Sequence, residues 1–204
     1  MLRIVCHGDS LTEGADLETH LRWPSLLQNA LDAEVINTGI GGDSTAGMLS
    51  RFSTDVIKHK PRAVILLGST NDFWFDLSLN TSISNLFTMA YQAQYHGIEP
   101  LFGLPLPVDV NQASKYAETG PETGYEKLFA KIQQFNIRLN TLAQVDQITV
   151  INFYDLFLTD DTNIRSDCYL EDGVHPNVKG HQRMTDLAVS IIKSSDTLEI
   201  LPRS

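Results

Sequence analysis

The sequence predicts an α/β fold in which a parallel sheet of five strands lies between layers of helices. Short apolar, β-branched runs alternate along the chain with longer amphipathic stretches. One run, Ala63–Leu67 (AVILL), lacks the polar alternation of a half-exposed strand, which is typical of a parallel strand buried on both faces. Strands that alternate with helices are joined by right-handed crossovers, so we expect a doubly wound sheet.

Each predicted strand is a short run of apolar and β-branched residues, and each predicted helix carries apolar residues at helical spacing. The strands span residues 2–6, 34–37, 63–67, 101–104 and 148–153. The helices span residues 23–31, 45–59, 82–96, 124–144 and 176–193. Segments 105–123 and 159–173 fit no regular element, and we expect them to be long loops at the carboxyl edge of the sheet, where ligands bind.

Length and charge favour one globular domain that does not bind nucleic acid. The 204 residues suffice for one well-buried domain, which we take as residues 1–204. The formal net charge is −10. The basic residues within 58–62 form too small a group for phosphate binding, so they are expected to be a solvated corner.

The apolar runs predict a cytoplasmic protein without stable membrane insertion. The first residues lack the basic region, long apolar stretch and cleavage site of a signal peptide. No run reaches the roughly 18 apolar residues of a membrane span. Cys6 and Cys168 show no zinc or CxxC spacing, so we expect buried thiols in a reducing compartment. No metal ion or other cofactor is expected.

Four polar stretches are expected at the same edge of the sheet, and together they contain the groups that acyl transfer needs. Ser10 follows the first strand, and a serine hydroxyl becomes a nucleophile when a neighbouring base takes its proton. His175 suits that base, since histidine titrates near neutral pH. Asp172, three residues earlier, can meet the imidazole across one turn and hold its tautomer. Pro176 favours an extended backbone at His175.

Three groups are candidates to stabilise the oxyanion of the reaction. They are the backbone N–H groups of Ser10 and Gly42, and the side-chain amide of Asn71. Glycine at position 42 lets the backbone approach a substrate closely. The neighbouring carboxylates, Asp9 and Asp72, are expected to brace their loops by accepting hydrogen bonds from backbone amides.

Each of these patterns alone also has an ordinary structural interpretation. Gly-Asp-Ser and Asn-Asp occur in turns, and Asp-x-x-His occurs at helix caps and on surfaces. The stretch 39–44 (GIGGDS) could cradle a phosphate, but it lacks the Walker lysine and the G-x-G-x-x-G spacing. The prediction of an acyl-transfer site therefore depends on the combination of these stretches in this order.

The four stretches GDSLTEG, NTGIGGDS, STND and DGVHPN resemble, in this order, the blocks of the SGNH/GDSL hydrolases, especially the lysophospholipase-L1/arylesterase-like bacterial branch. The resemblance spans residues 8–177. It implies a flavodoxin-like three-layer αβα sandwich with strand order 2-1-3-4-5. It also implies that Ser10 is the nucleophile and an oxyanion donor, that Gly42 and Asn71 complete the oxyanion hole, and that His175 is the general base with Asp172 as its partner.

The third block departs from the family pattern, which is Gly-x-Asn-Asp. Here Ser69 stands two residues before Asn71, and the glycine comes one position earlier, at Gly68. Either the loop shifts, or Ser69 adopts the turn that glycine adopts in the family.

The expected function is that of a serine esterase for a small-molecule ester, with short-chain acyl or O-acetyl esters as substrates. Phe73, Trp74 and Val174 are candidates to line the acyl pocket, with core packing as the alternative for the aromatic residues. Three other functions stay open: a thioesterase or lysophospholipase for longer acyl chains, a non-catalytic binding module of the same fold, and a protein that binds a phosphate ester or nucleotide.

Overall fold

The five strands form one parallel sheet in the order β2-β1-β3-β4-β5, as expected from the family resemblance. A computed structural model describes residues 2–14, 16–116 and 120–195 of the chain. The strands are β1 (Arg3–Gly8), β2 (Glu34–Gly39), β3 (Ala63–Leu67), β4 (Glu99–Gly103) and β5 (Thr149–Ile151).

Helices cover both faces of the sheet, which gives the predicted three layers. In the described part of the chain they are α1 (Ser10–Glu13), α2 (Trp23–Leu31), α3 (Thr45–Asp55), α4 (Thr70–Trp74), α5 (Leu79–Tyr95), α6 (Val110–Tyr116), α7 (Tyr125–Val145), α8 (Phe153–Leu156) and α9 (Val178–Ser194). One core lies under α2 and α9, and the other lies under α3, α5 and α7. Side chains of β1 alternate between them: Ile4 and Cys6 join the first core, and Val5 joins the second.

The strand register brings the ends of β1, β2 and β3 to one level. Gly8, the last residue of β1, pairs with Gly39 on one side and with Leu67 on the other. Gly39 also lies against α1, where an added Cβ would come within 2.2 Å of the Glu13 backbone nitrogen. Only glycine therefore allows α1 to pack this closely on β2.

Helix capping explains two of the differences from the predicted boundaries. The helix predicted from residue 82 begins at Leu79, because the Ser78 hydroxyl accepts a hydrogen bond from the Asn80 backbone N–H. The strand predicted over 148–153 ends at Ile151, because the Asn152 side chain caps α8.

Two further helices differ from their predicted bounds. The helix predicted over 45–59 ends at Asp55 and is followed by a 3₁₀ turn at Ile57–His59. The last helix begins two residues after Pro176, where Asn177 accepts hydrogen bonds from the Lys179 and Gly180 backbone N–H groups. Its end at Ser194 agrees with the predicted end to within one residue.

The prediction that segment 105–123 is irregular was wrong for its middle part. Residues Val110–Tyr116 form α6, whose first turn is held by the Asp109 carboxylate accepting from the Gln112 N–H. Ala113 of this helix is buried. Residues 117–119 of the segment lie outside the described residues.

Both cysteines are buried free thiols, as predicted. Within the described residues, no helix has the length and apolar character that crossing a membrane requires.

Candidate active site

Ser10 follows the first strand, as the sequence predicts, and lies at a sharp turn from strand to helix. Strand β1 ends at Gly8, and Ser10 is the first residue of the single-turn helix α1. The turn is held by Asp9, whose carboxylate accepts a hydrogen bond from the Leu11 N–H over 3.0 Å. This is the bracing contact predicted for Asp9. The Ser10 side chain is partly exposed at the edge of the sheet.

The structure brings Ser10, His175 and Asp172 into one chain of hydrogen bonds. The Ser10 Oγ lies 2.9 Å from His175 Nε2. The other ring nitrogen, Nδ1, lies 2.5 Å from Asp172 Oδ2. Because a carboxylate can only accept, Nδ1 carries the proton, and Nε2 is then free to accept from the Ser10 hydroxyl.

The Asp172 carboxylate also shapes the turn that carries His175. Its other oxygen, Oδ1, accepts from the backbone N–H groups of Val174 at 2.8 Å and His175 at 2.9 Å. Gly173 has a φ of +67°, a conformation that favours glycine. One side chain thus fixes both the backbone and the imidazole of His175.

The pKa values of the pair shift in opposite directions. Burial alone lowers the pKa of His175, but the hydrogen bond to Asp172 and its negative charge outweigh burial and raise that pKa above 6.5. Burial alone raises the pKa of Asp172, but hydrogen bonds from the His175 ring and from two backbone N–H groups outweigh it and lower that pKa below 3.8. Asp172 is therefore a stable carboxylate beside an imidazole whose pKa it raises.

The two loops that carry the remaining predicted donors are in direct contact. Gly42 is exposed and has a φ of +76°, with open space where a Cβ would stand. The Asn71 Nδ2 donates to the backbone carbonyl of Asp43, the next residue, over 2.9 Å. A side-chain amide has two N–H donors, so this contact leaves one of them for another acceptor.

Asp72 ties the Asn71 loop to helix α3, in the bracing role that the sequence predicts for it. Its carboxylate is buried and accepts from the Thr45 backbone N–H at 2.9 Å and from the Thr45 hydroxyl at 2.6 Å. The Ser82 hydroxyl donates to it over 3.0 Å. Thr45 opens α3, so the carboxylate also lies at the positive end of that helix.

Of the three residues predicted to line an acyl pocket, Phe73 packs in the core, whereas Trp74 is only partly buried. Phe73 is fully buried, with its ring centroid 5.2 Å from that of Phe135, because the short helix α4 turns it into the core. Trp74 packs edge-on against Tyr125 at 5.8 Å. Val174 belongs to the same core as Phe73. The prediction that Phe73 faces a pocket was therefore wrong.

Sequence reasoning missed three side chains that hold the loop of Gly42. The Glu13 carboxylate accepts from the Gly41 N–H over 2.5 Å, and the Arg51 guanidinium donates to the Asp43 carboxylate over 2.8 Å. Glu13 could have been found, since it follows Ser10 by three residues in the same block. No motif marks Arg51, because its partners come from separate segments of the chain.

No three His, Cys, Asp or Glu side chains among the described residues are grouped to hold a metal ion. The structure therefore offers no assembled set of metal ligands within 2–14, 16–116 and 120–195.

This chain is similar to known proteins in both sequence and fold. A profile of the GDSL-like lipase/acylhydrolase family matches residues 6–183. The arylesterase of Vibrio mimicus is 25% identical over 179 residues, which cover 85% of this chain and 80% of that protein. Esterase TesA of Pseudomonas aeruginosa is 32% identical over 117 residues, which cover 54% of this chain and 57% of that protein.

The chain spans about half the length of two of these relatives, since the matches cover 57% of TesA and 49% of the lipoprotein YqeF of Bacillus subtilis. Among solved structures, a protein of the G-D-S-L lipolytic family from Desulfitobacterium hafniense superimposes with a TM-score of 0.80 at 24% identity. The superposition covers 94% of this chain and 99% of that one, so the fold is shared over the whole domain.

Ser69 adopts the turn that glycine would adopt, with a φ of +103°. It is fully buried, and its hydroxyl has no hydrogen-bond partner. We expect Ser69→Gly to raise the free energy of unfolding by about 1 kcal/mol, because the relieved backbone strain exceeds the entropy lost by glycine on folding. Urea denaturation measures the change. Ser69→Ala, which keeps the Cβ and removes the hydroxyl, is the control; a less stable Ser69→Gly would contradict this account.

Burial raises the pKa of Asp9 from 3.8 to about 7, against the opposing effects of the Leu11 N–H and the charge of His175. Because the folded-state pKa is the higher one, Asp9 contributes stability that is present below about pH 4 and is lost as the pH rises through about 7. We therefore expect Asp9→Asn to stabilise the fold more at about pH 8.5 than at about pH 5.

Urea denaturation at both pH values tests this expectation, with the exposed Asp161→Asn as control. An effect of Asp9→Asn that is the same at both pH values would contradict a raised pKa for Asp9.

Proposed function

This chain belongs to the GDSL-like lipase/acylhydrolase family, and we propose that it is a serine esterase that hydrolyses carboxylic esters through a covalent acyl intermediate on Ser10. The observation that carries the proposal is the contact of Ser10 Oγ with His175 Nε2 at 2.9 Å, with the opposite ring nitrogen bound to Asp172. This geometry supports proton transfer from the hydroxyl to the ring as the hydroxyl attacks an ester carbonyl.

In the acylation step, Ser10 Oγ attacks the carbonyl carbon while His175 Nε2 takes the hydroxyl proton. The carbonyl oxygen becomes an oxyanion, and we assign its stabilisation to the N–H groups of Ser10 and Gly42 and to the free N–H of Asn71. The imidazolium is stabilised by the Asp172 carboxylate. Its Nε2 proton then passes to the leaving alcohol as the C–O bond breaks, which leaves the acyl group on Ser10.

Deacylation uses the same groups with water in place of the serine hydroxyl. His175 Nε2 takes a proton from water, the hydroxide attacks the acyl carbonyl, and the same donors hold the second oxyanion. Collapse of this intermediate breaks the bond to Ser10 Oγ, which receives the proton from His175. The products are a carboxylic acid and the free enzyme, and no cofactor takes part.

We propose short-chain acyl or O-acetyl esters as the substrates. The support is the burial of Phe73 in the core, which removes one aromatic side chain from a long acyl groove. A thioesterase or lysophospholipase acting on longer chains is the alternative that the test below separates.

We also propose a cytoplasmic location. Both cysteines are buried free thiols, and thiols stay reduced in that compartment.

Removing the Ser10 hydroxyl tests the proposal. We expect wild-type protein to hydrolyse p-nitrophenyl acetate and Ser10→Ala to lose about four orders of magnitude in kcat/KM, because the acyl group has no acceptor. Unchanged melting temperature and circular dichroism identify a folded variant. Full esterase activity in folded Ser10→Ala would contradict the mechanism, and no Ser10-dependent turnover by the wild type would favour a binding module.

The same assay, run over a series of acyl lengths, tests the substrate class. We expect kcat/KM to fall from acetyl and butyryl to octanoyl and palmitoyl esters. The opposite order would favour the long-chain alternative while leaving the role of Ser10 intact.

Asp172→Asn tests the electrostatic role of the carboxylate. The base must be neutral, so kcat/KM falls as the pH drops through the pKa of His175, which Asp172 holds above 6.5. We expect Asp172→Asn to lower kcat by about 10²- to 10⁴-fold and to move the midpoint of the acid limb to lower pH. A pH–rate profile measures both, with the exposed Asp167→Asn as control. An acid limb that does not move in Asp172→Asn would refute the assigned partnership.

A further inference from the structure

We propose that Arg51 is a positioning residue for this reaction: through Asp43 it holds the two oxyanion donors, Gly42 and Asn71, in register with Ser10. The inference rests on the proposed function, because it concerns the donors of that reaction. Arg51 touches none of the reacting atoms, so its effect on the reaction is indirect.

The Arg51 guanidinium joins three segments at the edge of the sheet. Its Nη2 donates to the Gly8 carbonyl, the last one of β1, over 2.9 Å. Its Nη1 donates to the Thr38 carbonyl near the end of β2 over 2.6 Å. Its Nε donates to the Asp43 carboxylate in the loop of Gly42 over 2.8 Å. One planar group therefore ties the strand before Ser10 to the loop that carries an oxyanion donor.

The burial of this contact makes it firmer than a surface ion pair. The side chains of Arg51 and Asp43 are only 15% and 13% exposed, so solvent screens their charges little. Removing either partner leaves the other buried group short of a hydrogen bond, which costs more than the bond itself contributes. A second carboxylate partner of Arg51, Asp55, lies one turn further along α3 and is 26% exposed.

Asp43 is the junction between Arg51 and both donors. Its carboxylate accepts from Arg51, while its backbone carbonyl accepts from Asn71 Nδ2 over 2.9 Å. Gly42 directly precedes it in the chain, with a φ of +76° and open space where a Cβ would stand, so its neighbours in the loop decide where its N–H points. The loop is held at Gly41 by Glu13 and at Asp43 by Arg51, so a shift of Asp43 displaces the Gly42 N–H together with the Asn71 amide.

Three single variants test the proposal by steady-state hydrolysis of p-nitrophenyl acetate. Arg51→Lys keeps the charge but cannot reach three acceptors at once, and Asp43→Asn keeps the shape but removes the charge. For both we expect kcat to fall about 10- to 100-fold with KM within about 3-fold, as for an interaction made in the transition state. Asp55→Asn, the matched control, removes a different carboxylate partner of Arg51 and is expected to stay within about 3-fold of wild type.

A double-mutant cycle distinguishes positioning from general destabilisation. If Arg51 acts through the oxyanion donors, Arg51→Lys costs less in an Asn71→Ala background than in the wild type, because one of the two donors that it aligns is already absent and only the Gly42 N–H is left to misalign. Fully additive losses of kcat in folded protein would overturn the proposal. So would equal losses of kcat in Arg51→Lys and Asp55→Asn.

Hydrogen exchange gives a readout that does not depend on activity. We expect faster amide exchange in a peptide covering residues 39–44 in Arg51→Lys and Asp43→Asn than in wild type and Asp55→Asn. Unchanged amide exchange in this peptide would overturn the proposal that Arg51 holds the loop, even if the enzyme is active. A wild type without Ser10-dependent turnover would refute the proposed function instead, while exchange would still report whether Arg51 holds this loop.

Discussion

One hydrogen bond of 2.9 Å, between Ser10 Oγ and His175 Nε2, joins residues that lie 165 positions apart in the chain. The strand order and register of the sheet make it available. Gly8 pairs with Gly39 and Leu67, so the loops after these three strands lie at one edge of the sheet. The turn before α9 places the His175 imidazole at the same edge. Without this alignment, each stretch of polar residues would be only a turn.

The site is held by carboxylates that bind backbone and side chain at once. Asp172 fixes the turn of its own loop with one oxygen and the imidazole with the other. Asp72 ties the loop of Asn71 to the start of α3, and Asp43 receives both Arg51 and Asn71. Carboxylates that bind both backbone and side chains make a polar site rigid, and preorganised donors need that rigidity.

The sequence predicted the sheet and the layers well, because apolar runs report burial directly. It placed helix ends less well, since caps such as Ser78 and Asn152 depend on single hydrogen bonds. The contact between Asp172 and His175 was predictable because both residues lie in one turn. Arg51 was not, since its acceptors Gly8, Thr38 and Asp43 meet only after folding. The prediction for Phe73 was wrong because the direction of its side chain depends on the turn of α4, which forms only in the folded chain.

Labelling with a fluorophosphonate tests the central claim, that Ser10 is a nucleophile activated by His175, most directly. Intact mass and peptide mapping would be measured on wild type and folded Ser10→Ala. The account predicts one adduct per wild-type chain, mapped to the peptide that contains Ser10, and none on the variant. A folded wild type that takes no adduct, or an adduct that persists in Ser10→Ala, would contradict it.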